Sequence, residues 1–176
     1  MGHSTVAGAS TGGDLVALHL GDHPTIESLL HTKFQVRNPD LSPDGHWLAY
    51  ESNETGAYQV CVRPFPNVDG GWWQISTQGG TSPLWAKNGR EVFYLDGDGY
   101  LTTVPVQAGP GFTRGNPARL LQTRYYNTAG RTYDASRDGQ KFLMIKPGAQ
   151  GASAPPSHMV LVLHEDQELR RLVPGK

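Results

Sequence analysis

The chain has 176 residues, of which 37% are hydrophobic and 18% are charged, and its formal net charge at pH 7 is −1. This length is enough for one domain with a sizeable core, and the near-zero net charge does not indicate a polyanionic partner. The arginines are dispersed and form no basic stripe, so we predict no binding to nucleic acid. No apolar run approaches the roughly 20 residues that cross a bilayer, so we predict no membrane partner.

The first 13 residues are small and polar and lack the basic-then-apolar order of a signal peptide. We therefore expect residues 1–13 to be a disordered leader and the protein to be cytoplasmic. The single cysteine, Cys61, excludes an intramolecular disulfide framework. It lies in the alternating stretch Tyr58–Val62, which favours a small apolar filler in a strand over a reactive nucleophile.

The rest of the chain is rich in turn-forming residues, with 22 Gly and 13 Pro, and has few long periodic apolar segments. This composition favours many short strands over helices. We predict four groups of strands, at residues 14–32, 38–77, 81–123 and 132–173. The first group is half of a four-stranded unit, the second and third are complete units, and the fourth is most of one, interrupted by a flexible linker at residues 147–157. The strands predicted in the third group include residues 100–106 and 118–123, and the fourth group includes a strand at residues 158–163.

A tight turn marks each unit. In Ser42-Pro43-Asp44-Gly45, proline presets φ near −65°, aspartate bonds its own backbone and glycine accepts positive φ. The glycines recur after about 44 and then about 50 residues, and four strands at a period near 40–45 residues indicate a β-propeller. The residues interpreted as structural in these turns are Asp44, Gly45, Asn88, Gly89, Asp138 and Gly139.

The predicted fold is therefore all-β, a partial β-propeller of about three to three and a half four-stranded antiparallel blades. Closed propellers have at least about four blades, so this number leaves two blade faces exposed. We expect the chain to self-associate or to associate with a longer propeller partner. Two alternatives stay open, a piece of a longer protein and a curved open stack of blades.

Residues 39–50, with the sequence Pro-Asp-Leu-Ser-Pro-Asp-Gly-His-Trp-Leu-Ala-Tyr, resemble the repeat of TolB-like (WD40-like) β-propellers. Further segments are similar to a narrower group, the C-terminal propeller part of bacterial proteins that often carry an N-terminal serine/threonine kinase domain. These segments are residues 51–56, 62–66, 74–80, 133–143 and 168–174. The resemblance implies the propeller fold for residues 14–174. It does not imply kinase activity, since the chain has no Gly-rich loop, catalytic loop or Asp-Phe-Gly motif.

Carboxylates at the starts of the innermost strands form the candidate site. In a propeller these strand starts gather at one mouth of the central channel, which brings Asp40, Arg131 and Asp134 together. Oxygen ligands converging from separate blades suit Ca²⁺, so Asp40 and Asp134 are the candidate ligands of this possible cofactor. Asp134 and Arg131 are the candidate catalytic residues of a hydrolase in which Ca²⁺ polarises a carbonyl. The alternative is that both aspartates only cap or solvate their strands.

Three further side chains are candidates for binding. Arg37 and Glu54 lie at the same predicted channel mouth. Trp72 and Trp73 are adjacent, so their side chains point to opposite faces of the strand. One of them is expected in the core and the other as an exposed contact platform, and we assign the contact to Trp73.

Three functions are compatible with these patterns. The first is a binding or scaffold module, favoured by the repeats and by the lack of Gly-x-Ser-x-Gly and His-Glu-x-x-His motifs. The second is a Ca²⁺-dependent hydrolase of small lactones or esters, N-acyl-homoserine lactones among them, which rests on analogy with propeller lactonases. The third is a truncated fragment with no independent function.

Overall fold

The computed structural model describes residues 12–109, 111–122 and 130–145. These residues form antiparallel β-sheets, with one short 3₁₀ turn at Val68–Gly70 and no α-helix. The predicted all-β, antiparallel class is therefore confirmed. The strands are β1 Leu15–His19, β2 Thr25–Leu30, β3 Val36–Leu41, β4 Trp47–Ser52, β5 Gln59–Pro64, β6 Trp73–Gln74, β7 Gly80–Trp85, β8 Glu91–Asp96, β9 Tyr100–Ala108, β10 Phe112–Arg114, β11 Ala118–Gln122, β12 Tyr133–Ala135 and β13 Phe142–Met144.

The strands pair into four sheets, named here by their order along the chain. Sheet I is the hairpin β1–β2, and sheet II has the order β3-β4-β5-β6. Sheet III has the order β7-β8-β9, and β9 then pairs with β10 along one part of its length and with β11 along another. Sheet IV is the hairpin β12–β13. Consecutive strands within each sheet are joined mostly by short turns, as the frequent Gly, Asn and Asp residues predict.

Both faces of sheet II are buried, which explains why β4 reads as a continuous apolar run. Successive side chains of a strand point to opposite faces. Leu48 and Tyr50 therefore pack toward Leu15 of sheet I, while Trp47 and Ala49 pack toward sheet III. A strand that is covered on both sides favours apolar residues at successive positions, as in Trp47–Tyr50, and the usual polar alternation disappears there.

Three apolar clusters hold the sheets in the stacking order I, II, III, IV. The cluster between sheets I and II includes Leu15, Leu48 and Cys61. The cluster between sheets II and III joins Val60 and Val62 to residues of β8 and β9, among them Val92, Tyr94 and Val104. The cluster between sheets III and IV includes Leu84, Phe93 and Tyr133, with Phe142 and Met144 packed against it.

An extension of β9 reaches from sheet III to sheet II. The last residues of β9 pair with β10, so that residues 106–109 and 111–114 form a hairpin, called here the finger. Phe112 of the finger packs against Trp47 and Trp73 of sheet II, with ring centroids 5.0 Å and 5.3 Å away. The sequence predicted that the strand ends at Val106 and predicted no strand between it and residue 118. The finger is therefore a feature that only the structure reveals.

The turn after the first strand has the same hydrogen bonds in sheets II and IV. Ser42 Oγ donates to the Asp44 carboxylate, which also accepts from the His46 N–H, and Ser42 Oγ accepts from the Trp47 N–H. Ser136, Asp138, Gln140 and Lys141 repeat these contacts in sheet IV. The hydrogen bond from the serine hydroxyl is the main reason that the pKa of each aspartate lies below its usual value.

Asn88 stands at the matching position in sheet III and accepts from the Arg90 N–H. The glycines that follow, Gly45, Gly89 and Gly139, have φ of 73°, 70° and 70°. A backbone with positive φ is strained for residues that have a Cβ, which explains why glycine stands at this position of each turn.

Several predicted features lie outside the described residues. They are most of the leader, the linker at residues 147–157, the strand expected at residues 158–163 and the C-terminal segment. In the part of the chain that the structure describes, no helix is long and apolar enough to cross a membrane.

Candidate functional site

Polar groups from three sheets meet along β3, along β7 and at the start of β12. This group is called here the Ser82 network, because Ser82 contacts members from two other sheets. Its members are Arg37, Asp40, Glu51, Ser82, Arg131 and Tyr133.

Glu51 is the centre of the network. It lies at the buried end of β4 with no exposed surface. Its carboxylate accepts one hydrogen bond from Arg37 Nε and another from the backbone N–H of Ser82. The Arg37 guanidinium also lies over the Tyr58 ring, 3.8 Å from the ring centroid. A buried carboxylate is tolerated only when it is paired and hydrogen-bonded, and here the partners come from sheets II and III.

A repeated backbone distortion exposes the Ser82 N–H to this carboxylate. Asn38 in β3 and Ser82 in β7 both have positive φ, at 52° and 55°, and both precede proline. The register of each strand with its neighbour shifts at the same point, between Arg37 and Asp40 in β3 and between Thr81 and Leu84 in β7. A bulge of this kind interrupts the sheet hydrogen bonds and turns backbone groups outward. Positive φ at a residue other than glycine is strained and marks a specialised position.

Tyr133 attaches sheet IV to the same point. Its hydroxyl donates to the Ser82 carbonyl at 2.7 Å. Burial raises the pKa of Tyr133 well above its usual value, so the hydroxyl keeps its proton and remains a donor. The Ser82 hydroxyl is buried and has no hydrogen-bond partner among the described residues.

Asp40 and Arg131, two predicted site residues, are in direct contact. Arg131 Nη1 donates to Asp40 Oδ1 at 2.8 Å and to the Pro83 carbonyl at 3.3 Å. The second oxygen of Asp40 accepts from the Trp85 N–H at 2.8 Å. Both Asp40 oxygens thus have donors, and the pair connects sheets II, III and IV at their common end.

Asp134 is placed differently from Asp40. It follows Tyr133 in β12, so its side chain points to the other face of the strand. Its carboxylate accepts from the Ala135 N–H at 2.9 Å, and the residue is exposed. Within residues 12–109, 111–122 and 130–145, no group of three or more His, Cys, Asp or Glu has the arrangement of a metal site.

The residues predicted for binding have distinct surroundings. Arg37 is occupied by Glu51 and Tyr58, and Glu54 is exposed in the turn after β4. Trp73 packs against the core, edge-on to Trp47 at 5.6 Å between ring centroids, whereas Trp72 is 39% exposed. The outward tryptophan of the pair is thus Trp72, because the finger covers Trp73 through Phe112.

Cys61 is free and buried between sheets I and II, as expected for an apolar filler. Burial raises the pKa of its thiol to about 12, so almost no reactive thiolate forms near neutral pH.

This environment predicts the reactivity of Cys61. At about pH 8 the native protein should react with Ellman's reagent at least roughly a hundredfold more slowly than the urea-unfolded chain, since the thiol is both protonated and covered. Absorbance at the wavelength of the released thiolate measures both rates. Rapid, stoichiometric labelling of the native protein would contradict the buried position.

A cationic groove lies at the opposite end of sheets II and III. The turn after β3, the turn after β7 and the finger enclose a volume of about 1200 Å³. Lys87, Arg90 and Arg114 line it, and Asp44 is the one carboxylate among the lining residues. The three cations form no ion pair within the part of the chain that the structure describes. The sequence carried no signal for this groove, because Arg114 of the finger is distant in the chain from Lys87 and Arg90, which lie in the turn after β7.

Comparison with protein-family models finds no match to this chain, and comparison with curated proteins finds none either.

Proposed function

We propose that this chain is a TolB-like propeller module that works as a binding scaffold. Sheets II and III are then two blades, and sheets I and IV are parts of two others. Three observations support the blade interpretation: the sheets stack face to face, the bulge before proline recurs in β3 and β7, and the turn hydrogen bonds recur in sheets II and IV. A stack of similar sheets provides a rigid frame, on which loops and turns form the binding surface.

The cationic groove is the observation that carries the binding function. Its volume of about 1200 Å³ is at least that of a typical ligand-binding cleft. Pro43, Pro105 and Val106 add apolar surface to its wall. These three cations have no ion-pair partner among the described residues, so a negatively charged ligand is attracted to them without displacing any of the ion pairs described. We infer that the partner presents a segment rich in Glu or Asp.

The proposal is tested by fluorescence anisotropy with a fluorescein-labelled Glu-rich peptide and a Lys-rich peptide of the same length. We expect the Glu-rich peptide to bind and its affinity to fall as salt is added. The double variant Lys87→Glu/Arg114→Glu should weaken binding at least about tenfold, since it removes two attractive charges and adds two repulsive ones.

The matched control is Lys33→Glu/Arg137→Glu, which makes the same change in net charge at residues that do not line the groove. This variant should keep the affinity of the original chain. Equal weakening by both variants would mean that the peptide responds only to overall charge. Equal binding of the two peptides would disprove the acidic-segment proposal.

A second candidate function is the Ca²⁺-dependent hydrolysis of lactones or esters. It is favoured by one observation, the contact of Asp40 in β3 with Arg131, which lies just before β12. For a cation to bind there, Arg131 would have to release Asp40, because both carboxylate oxygens have donors.

Hydrolysis of an N-acyl-homoserine lactone with added Ca²⁺, and then with chelator, tests this candidate. The function requires activity that chelator abolishes and that Asp40→Asn or Asp134→Asn reduces. The Ca²⁺ site would be ruled out by activity that neither the chelator nor either substitution changes. It would also be ruled out by a lack of activity with Ca²⁺ present.

A further inference from the structure

Sheet I leaves one of its faces in solvent. The pairs Leu18–Ile26 and Val16–Ser28 place Val16, Leu18 and Ile26 on the same face. Their exposed fractions are 53%, 60% and 72%, and Leu20, just after β1, is 84% exposed. The other face of the hairpin packs against sheet II. A contiguous apolar patch on a folded protein marks a contact surface.

The opposite end of the stack also exposes apolar residues. Among the described residues, sheet IV has two strands, which pack against β7, β8 and β9 of sheet III. Within this part of the chain β11 is left uncovered, with Leu120 and Leu121 exposed to 47% and 39%. Ile145, one residue beyond β13, is 40% exposed.

The strands of the two end sheets are complementary in order. In sheet II each strand is antiparallel to its neighbour, in the order β3-β4-β5-β6. Among the described residues, β13 pairs with β12 alone and β1 with β2 alone. An antiparallel pairing of β1 with β13 would give the order β12-β13-β1-β2, which repeats the arrangement of sheet II. Exposed strand edges of this kind readily pair with another chain.

The charges of the two ends differ. Between residues 14 and 32 there are three carboxylates, Asp14, Asp22 and Glu27, and neither Lys nor Arg. Residues 130–145 contain three cations and two carboxylates, and one of the cations, Arg131, is paired with Asp40 of sheet II. Like-charge repulsion therefore disfavours a contact between two copies of sheet I, and it does not oppose a contact between sheet I and sheet IV.

We propose that a second copy of this chain supplies the β1–β2 hairpin that completes sheet IV. In this contact Val16, Leu18 and Ile26 of one copy cover the exposed leucines of β11 in the other. The contact joins two different surfaces, and two copies satisfy both ends when they bind reciprocally. Each copy then has two full sheets and contributes halves to two shared ones. The pair therefore holds six sheets of four or five strands, and this number of sheets is within the range of closed propellers. This inference rests on the propeller architecture of the proposed function and not on the cationic groove.

Sedimentation velocity and light scattering of the chain over a concentration series test the proposal. The expected species has twice the 19.1 kDa mass of one chain. Leu18→Asp on sheet I and Leu121→Asp on β11 should each raise the dissociation constant at least about tenfold. Both side chains are exposed, so neither substitution should unfold the protein, and circular dichroism checks this. Thr25→Asp, on the opposite face of the same hairpin, adds the same charge and should leave the dimer intact.

Mixing the two defective variants distinguishes unlike ends from like ends. The Leu18→Asp chain keeps an intact sheet IV and β11, and the Leu121→Asp chain keeps an intact hairpin. An equimolar mixture should therefore form a heterodimer through one intact contact, although each variant alone is monomeric. A dimer of like ends would instead survive Leu121→Asp, and mixing would not rescue Leu18→Asp.

Three results would overturn the inference. They are a monomer at all concentrations, a dimer that Leu18→Asp leaves unchanged, and a mixture that shows no rescue. The first is also expected if another segment of the same chain, such as the strand predicted at residues 158–163, pairs with β13. A monomer that still binds the Glu-rich peptide would refute this inference and leave the proposed binding function in place.

Discussion

Replacing Glu51 by glutamine should lower the free energy of unfolding by about 3 kcal/mol, near the lower end for removing one partner of a buried ion pair. The carboxylate has no exposed surface, whereas the Arg37 side chain is 33% exposed, so water partly compensates the arginine that is left unpaired. The neutral amide also loses a charge-assisted hydrogen bond from Ser82, which connects sheets II and III. Urea denaturation followed by tryptophan fluorescence measures the change.

The control for this experiment is Glu54→Gln, which makes the same chemical change at an exposed residue only three positions away. Its effect should stay within about 0.5 kcal/mol. A double-mutant cycle with Arg37→Met isolates the pair, and the two substitutions should be clearly non-additive. If Glu51→Gln were as mild as Glu54→Gln, the network would not be what connects the two sheets.

Replacing Phe112 by alanine should destabilise the protein by about 3 kcal/mol, because a buried aromatic ring leaves a cavity when it is truncated. Phe112 is 5% exposed, and it is the finger's aromatic contact with Trp47 and Trp73. The tryptophans should become more accessible, which acrylamide quenching of their fluorescence measures. Since the finger also forms a wall of the cationic groove, the Glu-rich peptide should bind more weakly.

Thr113→Ala is the matched control for the finger. Thr113 is the next residue in β10 and is exposed, so its truncation should change stability by no more than about 0.5 kcal/mol. A Phe112→Ala protein with unchanged stability and unchanged quenching would mean that the finger does not hold sheets II and III together.

The sequence predicted the local features of this protein because they depend on neighbouring residues. The Ser42-Pro43-Asp44-Gly45 turn needs only a proline, two side chains that bond nearby backbone and a glycine at positive φ. The all-β class likewise follows from short apolar runs separated by Gly, Asn and Pro. The proximity of Asp40 and Arg131 could be predicted from the repeat, because equivalent strands of stacked sheets lie side by side.

Other features could not be predicted from the sequence, because the residues that contact one another are distant in the chain. In the sequence, nothing distinguishes Glu51 from other strand residues, because its hydrogen-bond partner Ser82 lies 31 positions away. The stretch from residue 107 to residue 117 contains glycine and proline and reads as a loop. Residues 107–109 and 111–114 nevertheless belong to the finger, because Phe112 packs against two tryptophans of another sheet. The same contact decided which of Trp72 and Trp73 faces outward, since alternation alone assigns opposite faces without saying which face is covered.

The amino-acid sequence by itself thus determined the turns, the strand composition and the repeat, all of which arise from interactions over a few residues. Only the tertiary structure decided how the sheets are joined and which surfaces stay open. The buried Glu51 carboxylate, the finger and the exposed face of sheet I all depend on which sheet lies next to which. Burial is a property of the packed neighbours, and a side chain that is core in one stacking position is a contact surface at the end of the stack.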